Sequence, residues 1–428
     1  MKLGLGLGVN SITSQKVGAG FTGILDEYSG AAAAYSVRRL SSSYTDGLIR
    51  VRRSSDDTEQ DIGFDSNGDL DTTALTTFVN ADVNQYTSDF SSTEDLSETN
   101  GTGAAAQSIG GVDDAYKFTT ITGTGQMFAS ISPFSGKGGG NSFRIQADVY
   151  LPSTNAEIDK VRMWTGYGLE GFTEVTATDT WTSIDQTLDV VSGSQLRFQA
   201  YDGSDLTPTT TEANVFYLKN IIVTQTTADG AVTTFYDQSG NGNNATNSTD
   251  SEQPLVVSGG SLTQLNSRAA INGDGVDDVL SLGTGLDLSS GYSIFQVVQV
   301  PSANTYGITI SSSDVSNFSR TMMFGGLYRF SADGTNYDNY GSGGNKGEQC
   351  LWSSVVDGSG NLDTNRNGSA YGSQITGVTG TFELDIIGTN IGVNSFEFFQ
   401  ELIVFNSDQS SNRTTMETNI NDHFSIYP

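Results

Sequence analysis

The sequence predicts an all-β protein made of two antiparallel β-sandwiches, one inserted as a jelly roll into a loop of the other, with one short helix at the C-terminus. Three observations predict it. Of 428 residues, 51 are Gly and only 6 are Pro, set among long runs of Ser, Thr, Asn and Asp, which is the composition of short strands joined by tight turns. Apolar and polar residues alternate at period two in one segment after another. The length also exceeds that of one ordinary sandwich, since domains run to ~100–200 residues, so two cores are expected. Hydrophobic residues reach only 36%, yet 22 Phe and 17 Tyr supply enough aromatic volume to fill both cores.

Charge and cysteine content exclude several classes. Twenty Lys and Arg stand against 49 Asp and Glu, a formal charge of −29, and such a field repels phosphate backbones and anionic lipid. Neither nucleic acid nor membrane insertion is expected. No run approaches the ~18 apolar residues of a membrane span. Cys350 is the one cysteine and His423 the one histidine, which excludes a disulfide framework, a cysteine-based zinc site and His-rich metal chemistry. No cofactor or metal site is expected; bridging of scattered carboxylates by calcium is compatible with the composition without being predicted. The opening MKLGLGLGVN has no continuous apolar core or small-residue cleavage site and does not read as a secretory signal.

Along the chain, residues 1–20 come first. Leu3, Leu5, Leu7 and Val9 alternate with Gly, giving either an edge strand of its own domain or a strand that docks the chain onto a neighbour. Residues 21–79 and 228–428 are assigned to the host sandwich, with 80–227 as the insert. Ala31 to Leu40 reads as a short helix or a strand. Leu48 to Phe64 reads as a hairpin turning at Ser54 to Asp57, in which Asp57, Glu59 and Asp61 oppose Arg50 and Arg52. Asp65 to Asp71 lacks the spacing of a calcium loop and reads as a solvated turn around Asn67 and Gly68. In VTTFYDQSGNGN (Val232 to Asn243), Asp237 is expected to bond its own turn rather than to do chemistry.

Within the insert, Phe143, Ile145, Ala147, Val149 and Leu151 alternate with Arg144, Gln146, Asp148 and Tyr150. Val161 and Met163 alternate with Arg162 and Trp164, and Leu196, Phe198 and Ala200 with Arg197, Gln199 and Tyr201. If the first set of each is core, period two places Gln146, Tyr150, Arg162, Trp164, Arg197, Gln199 and Tyr201 together on an opposite face. That face suits sugar binding, where rings stack on a pyranose and polar groups take its hydroxyls, or packing against the host domain or a neighbouring subunit. Trp181 is left out as a packing residue. After the insert, Tyr292 to Val300 and Phe396 to Phe405 read as buried strands. Met416, Ile420 and Phe424 fall on one helical face behind a Ser-Ser-Asn cap signal.

INGDGVDDVLSL followed by YSIFQVVQV, and FEFFQELIVFNSD with the terminal helix, resemble concanavalin A-like and laminin G-like sandwiches. AYSVRRL, IRVRRSSDDTEQDIGF and above all VTTFYDQSGNGNNAT resemble the catalytic domain of B-type α-L-arabinofuranosidases and phage virion proteins that share it, over residues 21–78 and 229–428. The insert resembles galactose-binding-like carbohydrate-binding modules, through its strand order and TWTSID at Thr180 to Asp185. The resemblance implies a nucleophilic Glu and an acid Asp some ~5–5.5 Å apart. The matching region Phe318 to Phe330 holds no carboxylate, Thr389 or Asn390 stands where the Asp belongs, and the family's adjacent cysteines reduce to Cys350. The expectation is therefore a non-enzymatic phage virion surface protein (tail fibre, spike, baseplate or head fibre). Its expected partners are other virion proteins, host cell-surface glycans and further copies of itself. A polysaccharide-degrading glycoside hydrolase and a bacterial surface adhesin are the alternatives.

Overall fold

A computed structural model describes residues 21–91, 96–135, 137, 140–165, 172–190, 194–302, 306–314, 318–324, 327–339, 346–388 and 395–428. The docking assignment for residues 1–20 lies outside these, as do Thr389 and Asn390. The fold is all-β, built from large antiparallel sheets. Two separate hydrophobic cores occur: one drawn from residues 24–79 and 228–424, the other from residues 90–223.

The larger unit has two layers. One is a five-stranded sheet in the order Ala31–Ser36, Phe398–Phe405, Tyr292–Gln299, Cys350–Val356, Leu362–Arg366, registered by Tyr35 opposite Leu402 and Phe295 opposite both Ile403 and Ser353. The other layer runs from Thr335–Asn339 through Phe382–Gly388 and Val279–Leu288 to Gly230–Phe235 and the Ile49–Arg53/Glu59–Ile62 hairpin. Short strands Leu255–Ser258 and Ile271–Asn272 bridge the layers at one edge. Rings meet across the gap: Tyr35 on Phe235 at 5.6 Å, and Tyr328 stacked on Trp352 at 4.4 Å. Each such fully buried side chain contributes about 1.5–3 kcal/mol.

Phe398–Phe405 reads as a near-continuous apolar run because its sheet is covered on both faces. Helix Arg413–Phe424 lies on the outer side with Met416, Ile420 and Phe424 fully buried, as its spacing predicts. The cap differs from expectation: Asn412 makes no side-chain bond to the helix backbone, and its amide donates to Gln409 Oε1 at 2.8 Å instead. Beneath the helix sits a buried ion pair, in which the Arg38 guanidinium donates to both oxygens of Glu401 at 2.7 and 2.9 Å.

Ala31 to Leu40 resolves as a strand over Ala31–Ser36. The hairpin pairs Arg50 with Asp61 at 2.7 Å and Arg52 with Asp57 at 2.7 Å, and Asp65 accepts from the amides of Asn67 and Asp69, closing a turn. Two further helices, Ile24–Glu27 and Thr72–Val79, add to the one expected. The second is capped by Asp71, which accepts from Ala74 N at 2.9 Å, and buries Leu75, Phe78 and Val79.

The smaller unit is a sandwich. One sheet has the order Trp181–Asp189, Ser142–Tyr150, Val215–Gln225, Val112–Thr120, Gly101–Ile109, with Val83–Thr87 also on Val215–Gln225. The facing sheet runs Thr173–Val175, Lys160–Trp164, Leu196–Tyr201, Met127–Ile131, Ser97–Thr99. Between them pack Phe118, Phe143, Val161, Met163, Phe198 and Phe216. The two units touch where the chain crosses: Lys137 Nζ donates to Ser55 O at 2.7 Å and Asn80 Nδ2 to Gly260 O at 2.9 Å.

Candidate functional site

On the five-stranded sheet of the smaller unit, Val161, Met163, Leu196, Phe198 and Ala200 point into the core, so alternation turns Arg162, Trp164, Arg197, Gln199 and Tyr201 to the opposite side of the sheet, where Gln199 and Tyr201 are themselves buried. Cross-strand register aligns Glu174, Arg162, Gln199 and Phe128 in one row and Trp164, Arg197 and Ser130 in the next. The first row is locked by charge. Arg162 donates to Glu174 at 2.5 and 3.1 Å and to the Tyr201 hydroxyl at 3.1 Å, while its guanidinium lies 4.3 Å from the Tyr201 ring and 4.2 Å from Phe172. The hydrogen bond from Arg162 holds the Glu174 carboxyl below its usual range, and burial raises the Tyr201 phenol above its own.

Gln199 is fully buried and sorted by two bonds: Trp164 Nε1 donates to its Oε1 at 3.1 Å, and its Nε2 donates to Leu206 O at 2.9 Å. The Trp164 ring is thereby fixed in plane while partly exposed. Arg197 stands 4.4 Å from the Phe128 ring and 5.8 Å from Trp164. Phe172, 41% exposed, lies over the Arg162 guanidinium and adds an apolar ring to this side of the sheet. All these partners belong to the smaller unit. The face combines an exposed ring, a partly exposed ring and two guanidinium groups, an arrangement that can stack on a sugar ring and bond its hydroxyls.

The shared face expected for seven residues is corrected to five. Gln146 and Tyr150 lie on Ser142–Tyr150, in the other sheet, and a sandwich has two outer faces that point in opposite directions. There Gln146 donates to Asp185 at 3.3 Å, beside the Arg144–Asp185 pair. Tyr150 packs with Ala115, Tyr217 and Trp181 in a small apolar cluster, with Trp181 5.5 Å away, so Trp181 is a packing residue. Phe128, Phe172 and Glu174 belong to the face and were not singled out from the sequence; Glu174, polar beside Val175 on a short edge strand, was the readable one.

YDQSGNGN is a structural clamp. Asp237 accepts from Ala34 N at 2.9 Å, Ser239 N at 2.9 Å, Ser239 Oγ at 2.8 Å and Asn243 N at 3.0 Å. Asn241 and Asn243 donate to the carbonyls of Ala31 and Ala32, and Gln238 bonds Ser36, Arg38 and Leu40. Side chains thus take the place of a neighbouring strand along the free edge of Ala31–Ser36. Among the described residues, Asp274, Asp277 and Asp278 bring carboxylate oxygens within 4.8 Å of one another and could hold a metal. Burial pushes the Asp278 carboxyl up to about 7, and its Oδ2 already accepts from Asp274 N at 2.7 Å.

No protein-family model matches the chain, and no curated protein sequence does. Among solved structures, a GH54 α-L-arabinofuranosidase soaked with a cyclic sulfate inhibitor aligns with a TM-score of 0.44 at 11% identity, over 91% of this chain; the chain spans 62% of that structure's length. The CBM22-1 xylan-binding domain of Paenibacillus barcinonensis Xyn10C aligns with a TM-score of 0.26 at 15% identity, covering 35% of this chain and 98% of that domain. A botulinum neurotoxin serotype D binding domain aligns with a TM-score of 0.30 at 14% identity, over 46% of this chain and 48% of its own.

Proposed function

We propose that the chain is a non-catalytic glycan-binding protein displayed on a bacteriophage particle, with the Trp164 face as its binding surface. The observation that carries this reading is the fixed, partly exposed Trp164 ring, set by Gln199 and flanked by Arg197, on the same face as the Arg162–Phe172 pair. A ring held this way loses little entropy on binding, so stacking translates efficiently into affinity. Binding without hydrolysis is supported by the absence of carboxylates from Phe318 to Phe330. Placement on a virion rests on the sequence resemblance alone.

On a glycan array, the full chain should bind, and Trp164→Ala should weaken that binding by about tenfold or more, the loss of one stacked ring. An unchanged array signal from Trp164→Ala, with melting also unchanged, would move the site elsewhere. Antibody raised against the chain should decorate intact phage particles in electron micrographs; labelling confined to lysate debris would remove the virion role.

A further inference from the structure

Arg197 stands apart from the other arginines of the smaller unit. Arg144 is paired with Asp185 at 2.5 Å and Arg162 with Glu174 at 2.5 Å. Arg197 has no carboxylate partner among the described residues. Its single hydrogen bond runs from Nη2 to Gln195 Oε1 at 3.2 Å, and its Nε is buried with no acceptor. Phe128 supports the guanidinium plane at 4.4 Å, which holds the fork in place and strips part of its hydration. An un-neutralised, pre-positioned guanidinium whose Nε is buried without an acceptor is costly for stability alone. In a chain of net charge −29 it does not serve solubility either.

We infer that Arg197 makes the face selective for acidic sugars: the carboxylate of a uronic or sialic acid residue docks on the guanidinium while Trp164 carries the ring. This rests on the reading of the Trp164 face as a glycan platform. Arg and carboxylate match as planar, charge-assisted partners, and among the described residues no carboxylate competes for Arg197. The net negative charge of the molecule does not forbid this, since fields from residues beyond about 8 Å are screened at physiological salt. What the ligand meets is the local cation.

The test uses the full chain on an array in which each uronic acid and sialic acid glycan is printed beside its carboxyl-reduced counterpart. The acidic member of a pair should bind about ten- to a hundredfold more tightly. Arg197→Gln should weaken the acidic member about ten- to a hundredfold more than the reduced one and so close the gap between them, Arg197→Lys should keep part of that gap, and Trp164→Ala should lose both members. Which acid series shows the preference distinguishes a uronate from a sialate ligand. Equal binding of acidic and reduced glycans by the wild-type chain overturns the inference and leaves the platform standing. A parallel loss of both members in Arg197→Gln also overturns it, by making Arg197 a support for the Trp164 ring. If no glycan binds, both readings fall.

Discussion

Glu401→Ala should cost about 3–5 kcal/mol of folding stability, measured by urea denaturation at neutral pH, because it strands a buried guanidinium. Glu401 is 1% exposed and accepts from Arg38 Nε, Arg38 Nη2 and Ser36 Oγ, all within 2.9 Å. Arg38 in turn lies 5.6 Å from the Phe424 ring and donates to Asn419, so the pair ties the N-terminal strand of the larger unit to its terminal helix. Breaking the pair from one side leaves the remaining charge desolvated. Removing both, as in Glu401→Leu with Arg38→Met, should recover most of the loss, since apolar groups of similar volume carry no desolvation penalty. A single-variant loss under about 1 kcal/mol would mean that water reaches the pair and that the helix does not seal it.

Asp237→Ala should destabilise by several kcal/mol, on the order of 3–5, and leave glycan binding per folded molecule unchanged. One carboxylate answers three backbone amides and a hydroxyl, and Asp237 is 5% exposed. Each buried donor left unanswered costs ~1–3 kcal/mol, tempered by whatever water enters the gap. Asp237→Asn should fall between, because the amide keeps one acceptor but turns an NH2 toward Asn243 N. Stability comes from thermal melts and binding from the array. If melting holds while binding is lost, YDQSGNGN is a site and not a clamp.

Most of the architecture is legible where a local rule decides it. Alternation marks Phe143, Val161 and Leu196 as core; Arg50 against Asp61 follows from hairpin register; Met416, Ile420 and Phe424 follow from helical spacing. What alternation cannot say is which sheet receives a strand. Ser142–Tyr150 and Lys160–Trp164 are near neighbours in sequence, yet they fall in facing sheets, so their outward side chains diverge. The loops between strands leave that choice to global packing, so alternation alone does not separate Gln146 and Tyr150 from the Trp164 face. Helix Thr72–Val79 was hidden by its composition. Four of its eight residues are Thr, a poor helix former, and only the Asp71 cap with Leu75, Phe78 and Val79 on one face signals it. Phe172 joined the candidate face by tertiary contact with Arg162, which no spacing rule reports.

The three tryptophans make the glycan-binding claim directly measurable. Trp164 lies partly exposed on the candidate face, Trp181 is bonded to Ile109 O on the opposite sheet, and Trp352 is 2% exposed in the larger unit. Hydroxyl-radical footprinting of the full chain, with and without a saturating array-identified glycan, reads all three in one sample. Protection of Trp164 and Phe172, with Trp181 and Trp352 unchanged, is the expected result; protection of Trp181 instead, or no change at Trp164 at saturation, would contradict the assignment of this face.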